Sequence, residues 1–170
     1  MTPGRPARVI APVKLLKRIL LVLVLLFIAI QFIRPEKNIA DRPSGNDIAD
    51  HYPTPPAVRQ LLAAACYDCH SDTTRYPWYA NIQPVGWWLA SHVRDGKKHL
   101  NFSAFATYSP KRAAHKLDEL TDELADNEMP LASYKLGHPD ARLTPGQTRL
   151  LTDWADGLRA QILADNGLTD

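Results

Sequence analysis

Two cysteines and a histidine stand together in the run Cys66-Tyr67-Asp68-Cys69-His70, which has the pattern C-x-x-C-H. This spacing is the signal for attachment of a c-type haem. Two thiols three positions apart can form thioethers with the two vinyl groups of one haem, and the adjacent imidazole can ligate the iron. The sequence therefore predicts one covalent haem c, bound by Cys66, Cys69 and His70.

Three other interpretations explain less of the motif. A thioredoxin-like redox pair is expected in a βαβ context, and no stretch of the chain alternates with the period of a strand. A structural zinc site needs further ligands, and the chain has no second cysteine pair. A disulfide would leave His70 without a role.

The sixth ligand of the iron is expected to come from a residue far from the motif. Met129 precedes Pro130 in a polar loop, where a methionine that merely fills a gap in the core is less expected. A thioether there suits a His/Met iron, which has a raised reduction potential. His92 is the main alternative ligand, and His99 and His138 are weaker ones.

Helices must position these residues, because the apolar residues recur at helical spacing and no stretch alternates as a strand does. Proline and capping residues mark the helix starts. Together they predict an all-α, cytochrome c-like domain around one haem, over residues 54–165. The predicted helices begin at Thr54-Pro55, at Gln83-Pro84 (ending at Gly96 as the C′ residue), at Ser109-Pro110 and at Thr144-Pro145.

Two further groups of side chains are predicted around this domain. The third helix carries an acidic outer face, which either docks a basic partner or is simply solvated. Aromatic residues before and within the second helix are expected to line or cover the haem, although a plain core would look the same. The acidic face is Asp118, Glu119, Asp122, Glu123 and Asp126, and the aromatic group is Tyr76, Trp78, Tyr79, Trp87 and Trp88.

Residues 1–33 differ from the rest of the chain. They hold five basic residues and no acidic one, and they include 12 consecutive apolar residues at 19–30. A basic start before an apolar run is typical of a signal peptide or a signal anchor. No small-x-small cleavage site follows, so we predict an uncleaved transmembrane anchor over 1–33 and a linker over 34–53. The domain would then face the periplasm from the bacterial inner membrane, on a single-pass anchor.

The net charge of +2 divides between these two parts. The N-terminal 33 residues carry +5, and the remaining residues carry 15 basic against 18 acidic side chains. A domain without a basic excess has no electrostatic footprint for nucleic acid, so nucleic acid is excluded as a partner. The expected partners are the cytoplasmic membrane, through the N-terminal helix, and redox proteins.

The chain resembles the exported haem-binding domain proteins of bacteria over residues 55–157, and more loosely resembles class I cytochrome c. The family resemblance implies covalent haem binding at Cys66, Cys69 and His70. It says little about the physiological reaction. The matching segments are Cys66-Tyr67-Asp68-Cys69-His70-Ser71, Tyr76-Pro77-Trp78-Tyr79, Pro84-Val85-Gly86-Trp87-Trp88, His92-Val93, Gly96, His99-Leu100-Asn101-Phe102-Ser103, Met129-Pro130, Tyr134 and His138-Pro139.

Three functions are compatible with such a site. Electron transfer is favoured, because His/Met ligation leaves no open position on the iron. A sensor or ligand-binding module would need a displaceable sixth ligand. A small peroxidase would need a distal acid–base residue, for which His92 or His99 is available. We therefore expect a non-enzymatic electron carrier or haem-binding protein, with a small peroxidase as the enzymatic alternative.

Overall fold

The computed structural model describes residues 10–169, which form helices joined by turns and irregular segments, including a long one over residues 31–47. Within these residues there is no strand, and only a single bridge pairs Ile39 with Thr73. The prediction of an all-α fold is confirmed. The α-helices are α1 (Ile10–Ile30), α2 (Ile48–His51), α3 (Pro56–Ala65), α4 (Tyr67–His70), α5 (Val85–His99), α6 (Pro110–Ala125), α7 (Ala132–Gly137) and α8 (Pro145–Asp165), and 3-10 turns occupy Trp78–Asn81, Phe102–Thr107 and Pro139–Ala141.

Side-chain caps start the two long helices of the domain where the sequence predicts them. At α6, the Ser109 hydroxyl accepts a hydrogen bond from the Arg112 N–H. At α8, the Thr144 hydroxyl accepts from the Gln147 N–H at 3.3 Å, and the Gln147 side chain accepts from the Thr144 N–H at 2.8 Å. These bonds satisfy N–H groups that have no partner inside the helix.

The described residues form two compact units, one of residues 10–36 and 77–89 and the other of residues 37–76 and 90–169. Helices α6 and α8 pack against each other in the second unit. The apolar residues that recur at helical spacing on α6 are buried there: Ala113, Leu117, Leu120 and Leu124. On α8 the buried residues are Leu151, Ala155, Leu158 and Ile162, whereas the neighbouring Leu150 is exposed.

Helix α5 runs past the predicted C-terminal glycine. Gly96 lies inside the helix, which continues to His99. The reason for a glycine here is space, because a Cβ at Gly96 would lie 2.7 Å from the carbonyl oxygen of Cys69. The missing side chain thus lets α5 approach the backbone of the C-x-x-C-H turn.

The segment predicted as a linker, 34–53, joins the second unit from Lys37 onward. The side-chain amide of Asn38 donates to the Ser71 carbonyl and to the Thr74 hydroxyl, each at 2.9 Å. Ile48 is completely buried in the core of this unit. The structure differs from the prediction here because polar residues that look solvated in the sequence have partners far along the chain.

In the first unit, residues 77–89 are bonded to the end of α1. The side chain of Gln31 accepts a hydrogen bond from the Gln83 N–H at 2.8 Å, and the Trp87 indole donates to the Ile33 carbonyl at 2.7 Å. The side chains along α1 from Val13 onward are exposed, most of them about half.

The transmembrane anchor predicted over residues 1–33 is not supported by the structure. Within residues 10–169, no helix combines the length and the apolarity needed to cross a membrane. Helix α1 carries Lys14, Lys17 and Arg18 in its first half. The remaining bases of the predicted anchor, Arg5 and Arg8, lie outside the described residues.

Candidate functional site

A cavity of about 590 Å³ in the second unit brings together the residues predicted to hold haem. Cys66, Cys69 and His70 line it from the C-x-x-C-H turn, and Met129 lines it from the loop after α6. A volume of roughly 300–1,000 Å³ is usual for a cofactor site. The fold thus joins, at one cavity, two segments about 60 residues apart in the sequence.

The environment of His70 fixes which ring nitrogen is available to a metal. Its Nδ1 lies 3.0 Å from the carbonyl oxygen of Leu100, which can only accept, so Nδ1 carries the proton. Burial lowers the pKa of the imidazole, which favours the neutral ring. A neutral ring protonated at Nδ1 leaves the lone pair on Nε2, the arrangement by which a backbone carbonyl orients a metal-binding histidine.

The two thiols are held in their protonated form. Burial, with a smaller contribution from Cys69, raises the pKa of Cys66 to about 12. Burial, together with the charge of Asp68, raises the pKa of Cys69 to about 11. A reactive redox cysteine has a lowered pKa, so these values count against a thioredoxin-like pair. Both cysteines are free, so they form no disulfide.

Asp68, between the two cysteines, is a buried carboxylate with several partners. Arg75 donates to it through Nε at 3.1 Å, Nη2 at 3.2 Å and the backbone N–H at 3.0 Å. The hydroxyl of Tyr134 donates to its Oδ2 at 2.7 Å. Burial and the carboxylate raise the pKa of Tyr134, which keeps that hydroxyl a donor. This network fixes the turn that carries the thiols.

The histidines proposed as alternative ligands separate into two groups. His92 and His99 line the same cavity from α5, so both remain alternatives to Met129. His138 is not among the lining residues. Its ring stacks on Tyr134 with 4.0 Å between the ring centroids, which gives it a packing role.

The acidic face of α6 is not wholly outward. Glu119, Asp122 and Glu123 line the cavity, together with Lys116 of the same helix. Asp122 and Glu123 are also exposed, so this part of the lining meets solvent. Lys116 makes an ion pair with Glu119. The acidic residues therefore surround part of the site rather than a separate surface.

The aromatic residues predicted to cover the site lie elsewhere. None of the five lines the cavity, and the Trp78 side chain is 76% exposed. Phe102 and Tyr134 supply the aromatic lining instead. Sequence spacing shows where aromatic residues cluster, but it shows neither how deeply they are buried nor which cavity they line.

A zinc site built from protein ligands alone has no support in residues 10–169. No group of three or more His, Cys, Asp or Glu side chains in that range could hold a metal ion. The cavity instead offers iron and haem the oriented imidazole of His70, the thioether of Met129 and the thiols of Cys66 and Cys69.

A family model described as a haem-binding domain matches residues 25–157, which is more than half of the chain. The chain belongs to the haem-binding domain family. No curated protein and no solved structure matches it.

The cavity of this haem-binding domain fits the group that the family name states. Its donors suit iron, because an imidazole nitrogen and a thioether sulphur are both common haem ligands. Apolar side chains of Leu100, Phe102, Leu120 and Leu124 also line it, as a largely apolar macrocycle requires. The matched range includes every one of these residues.

Proposed function

We propose that this haem-binding domain is a c-type electron carrier with one covalently attached haem. The observation that carries the proposal is the single cavity lined by Cys66, Cys69, His70 and Met129. Cys66 and Cys69 would hold the haem through thioethers, each made by adding a thiol S–H across one vinyl C=C bond, so that an S–C bond and a C–H bond would replace the S–H bond and the vinyl π bond. The site keeps both thiols in the protonated form that such an addition would use.

Each of these four residues then has a defined role. Cys66 and Cys69 hold the cofactor in place, so the domain needs no deep closed pocket. His70, with its proton on Nδ1, presents Nε2 as the proximal ligand, and Met129 presents its sulphur as the other ligand. When bound, haem supplies an iron that gains or loses one electron without transfer of any atom. Donor and acceptor are therefore other redox proteins.

Attachment is tested first. Cys66→Ser and Cys69→Ser should each reduce haem that survives denaturing electrophoresis, and the double variant should abolish it. Ser133→Ala, an exposed position on α7, is the control and should keep full haem staining. Full staining in the double variant would reject covalent attachment.

The absorption spectrum of the purified full-length protein tests electron transfer against the alternatives. The oxidised wild type should be low-spin, show the far-red charge-transfer band of a Met–iron bond, and bind little carbon monoxide when reduced. Met129→Leu should lose that band and lower the reduction potential, because the thioether ligand raises it. The exposed Leu136→Ala variant should leave both unchanged.

Two outcomes would change the proposed function or the proposed sixth ligand. A high-spin wild type that binds carbon monoxide readily would reject electron transfer and favour ligand sensing or peroxidase chemistry. A low-spin wild type whose spectrum survives Met129→Leu would reject Met129 and direct attention to His92 and His99.

We also propose that the N-terminal helix attaches the protein to the bacterial inner membrane, with the haem domain on the periplasmic side. Two observations support it: the exposed apolar side chains along α1 and the bases at its start, which can reach lipid headgroups. The protein should sediment with the membrane fraction, and detergent should release it. Recovery of the protein in the soluble fraction without detergent would reject this attachment and leave the haem assignment intact.

A further inference from the structure

Tyr134 links the two segments that supply the iron ligands in the proposed function. It lines the cavity from α7, five residues after Met129. Its hydroxyl lies 2.7 Å from Oδ2 of Asp68 and 3.3 Å from the Ala64 carbonyl, so the shorter bond to the carboxylate dominates. Asp68 in turn stands between the two cysteines.

Other side-chain hydrogen bonds of the segment that carries Met129 are exposed: Arg142 Nε donates to the Lys135 carbonyl at 3.0 Å, and Lys135 Nζ donates to Asn127 Oδ1 at 3.4 Å. On its N-terminal side, the Met129 N–H donates to the Glu123 carbonyl at 3.2 Å, and Pro130 is buried. On its C-terminal side follows α7, which contains no buried residue. Apolar packing therefore holds α7 weakly, and a hydrogen bond to a buried carboxylate is correspondingly important there.

The carboxylate is itself firmly held. Its residue is only 4% exposed, and Arg75 grips both oxygens. The ring of His138, four residues further along the chain, stacks on the Tyr134 ring and limits its movement. Asp68 is thus a fixed point to which the phenol can attach the Met129 segment.

We infer that Tyr134 is a positioning residue for the sixth iron ligand. By bonding to Asp68, it keeps the Met129 segment at the cavity, so that the thioether stays on the iron. Loss of the hydroxyl raises the fraction of molecules in which the thioether has left, and the iron is then open to an added ligand. This inference rests on the proposed ligation by Met129.

The test uses the haem-loaded full-length protein and its Tyr134→Phe variant, with imidazole as the added ligand. The variant should bind imidazole about tenfold more tightly, because a bond to a charged group no longer opposes opening. Its far-red Met–iron band should weaken. A variant that only lowered the stability of the fold would change neither the imidazole affinity nor the Met–iron band of the folded protein.

Tyr67→Phe is the matched control. Its hydroxyl also donates to a carboxylate, Asp47, at 3.0 Å, and its ring stacks on Phe102, but Tyr67 does not line the cavity. This control should keep wild-type imidazole affinity and the Met–iron band. Equal changes in the two variants, or no change in Tyr134→Phe, would reject the positioning role.

Met129→Leu separates this inference from the ligation beneath it. If that variant loses the band while Tyr134→Phe keeps it, only the role of Tyr134 is rejected. If Met129→Leu keeps the band, ligation by Met129 and positioning by Tyr134 are rejected together.

Discussion

At the scale of single residues, Gly96 sets how closely α5 lies to the C-x-x-C-H turn. The absent side chain would otherwise meet the backbone of Cys69, which cannot move without shifting a thiol. The same stretch of chain ends at Leu100, whose carbonyl orients the imidazole of His70. One position without a Cβ therefore affects both a thiol and the proximal ligand.

Gly96→Ala should destabilise the protein. The new methyl group would lie 2.7 Å from the Cys69 carbonyl oxygen, and such overpacking costs about 1–3 kcal/mol of the free energy of unfolding. Gly157→Ala on α8 is the control, since nothing lies within 4 Å of its Cβ position. There the higher helix propensity of alanine should add roughly 0.5–1 kcal/mol. Urea unfolding measures both, and a stabilised Gly96→Ala would contradict the close approach.

The sequence predicts residues at this scale only when the signal is local. The C-x-x-C-H run shows itself by spacing, and Met129 by its position before a proline. Tyr134 and Leu100 lie in segments that resemble the family, but nothing local shows their roles, because these depend on partners 66 and 30 residues away. Long-range hydrogen bonds of this kind leave no periodic trace.

At the scale of elements, helices with caps and an apolar stripe are predictable, and weakly buried ones are not. α6 and α8 have both features and begin where the sequence predicts. α7 has no buried residue, and so it has no stripe to reveal it. The predicted end of α5 is wrong, because in a sequence a glycine that permits close packing looks the same as a glycine that ends a helix.

Thr144→Ala should weaken α8 by removing its capping box. The lost bond to the Gln147 N–H costs about 1 kcal/mol of the free energy of unfolding. Thr152→Ala, inside the same helix, should cost nothing, because alanine is the better helix former there. Thermal unfolding followed by circular dichroism compares them, and equal melting temperatures would contradict the capping role.

At the scale of the whole molecule, the second unit has a core and, beside it, a large cavity. The core draws residues from α3, α6, α8 and the 3-10 turn Phe102–Thr107, with completely buried side chains such as Leu62, Phe105 and Leu117. The cavity walls, in contrast, include polar and charged side chains as well as apolar ones. The apolar pattern of the sequence determines the core, whereas the residues of the cavity walls are determined by what the domain binds.

Haem loading should therefore stabilise the domain without being required for its helices. A group whose contacts form only in the folded chain favours the folded state over the unfolded state. The wild type produced with haem-attachment machinery should unfold at a higher urea concentration than the same chain produced without it. The Cys66→Ser/Cys69→Ser double variant should show no such difference, and a difference there would mean that something other than haem attachment separates the two preparations.

The bonds of Asn38 have a practical consequence for making the haem domain by itself. A version cut at residue 54, where the first predicted domain helix starts, would discard the amide that bonds to Ser71 and Thr74, and it would remove Ile48 from the core. A version that begins at Lys37 keeps both. The shorter fragment should be prone to aggregation, since it would expose an apolar surface that Ile48 otherwise covers. The useful boundary thus lies near the start of the stretch that the sequence alone would assign to a linker.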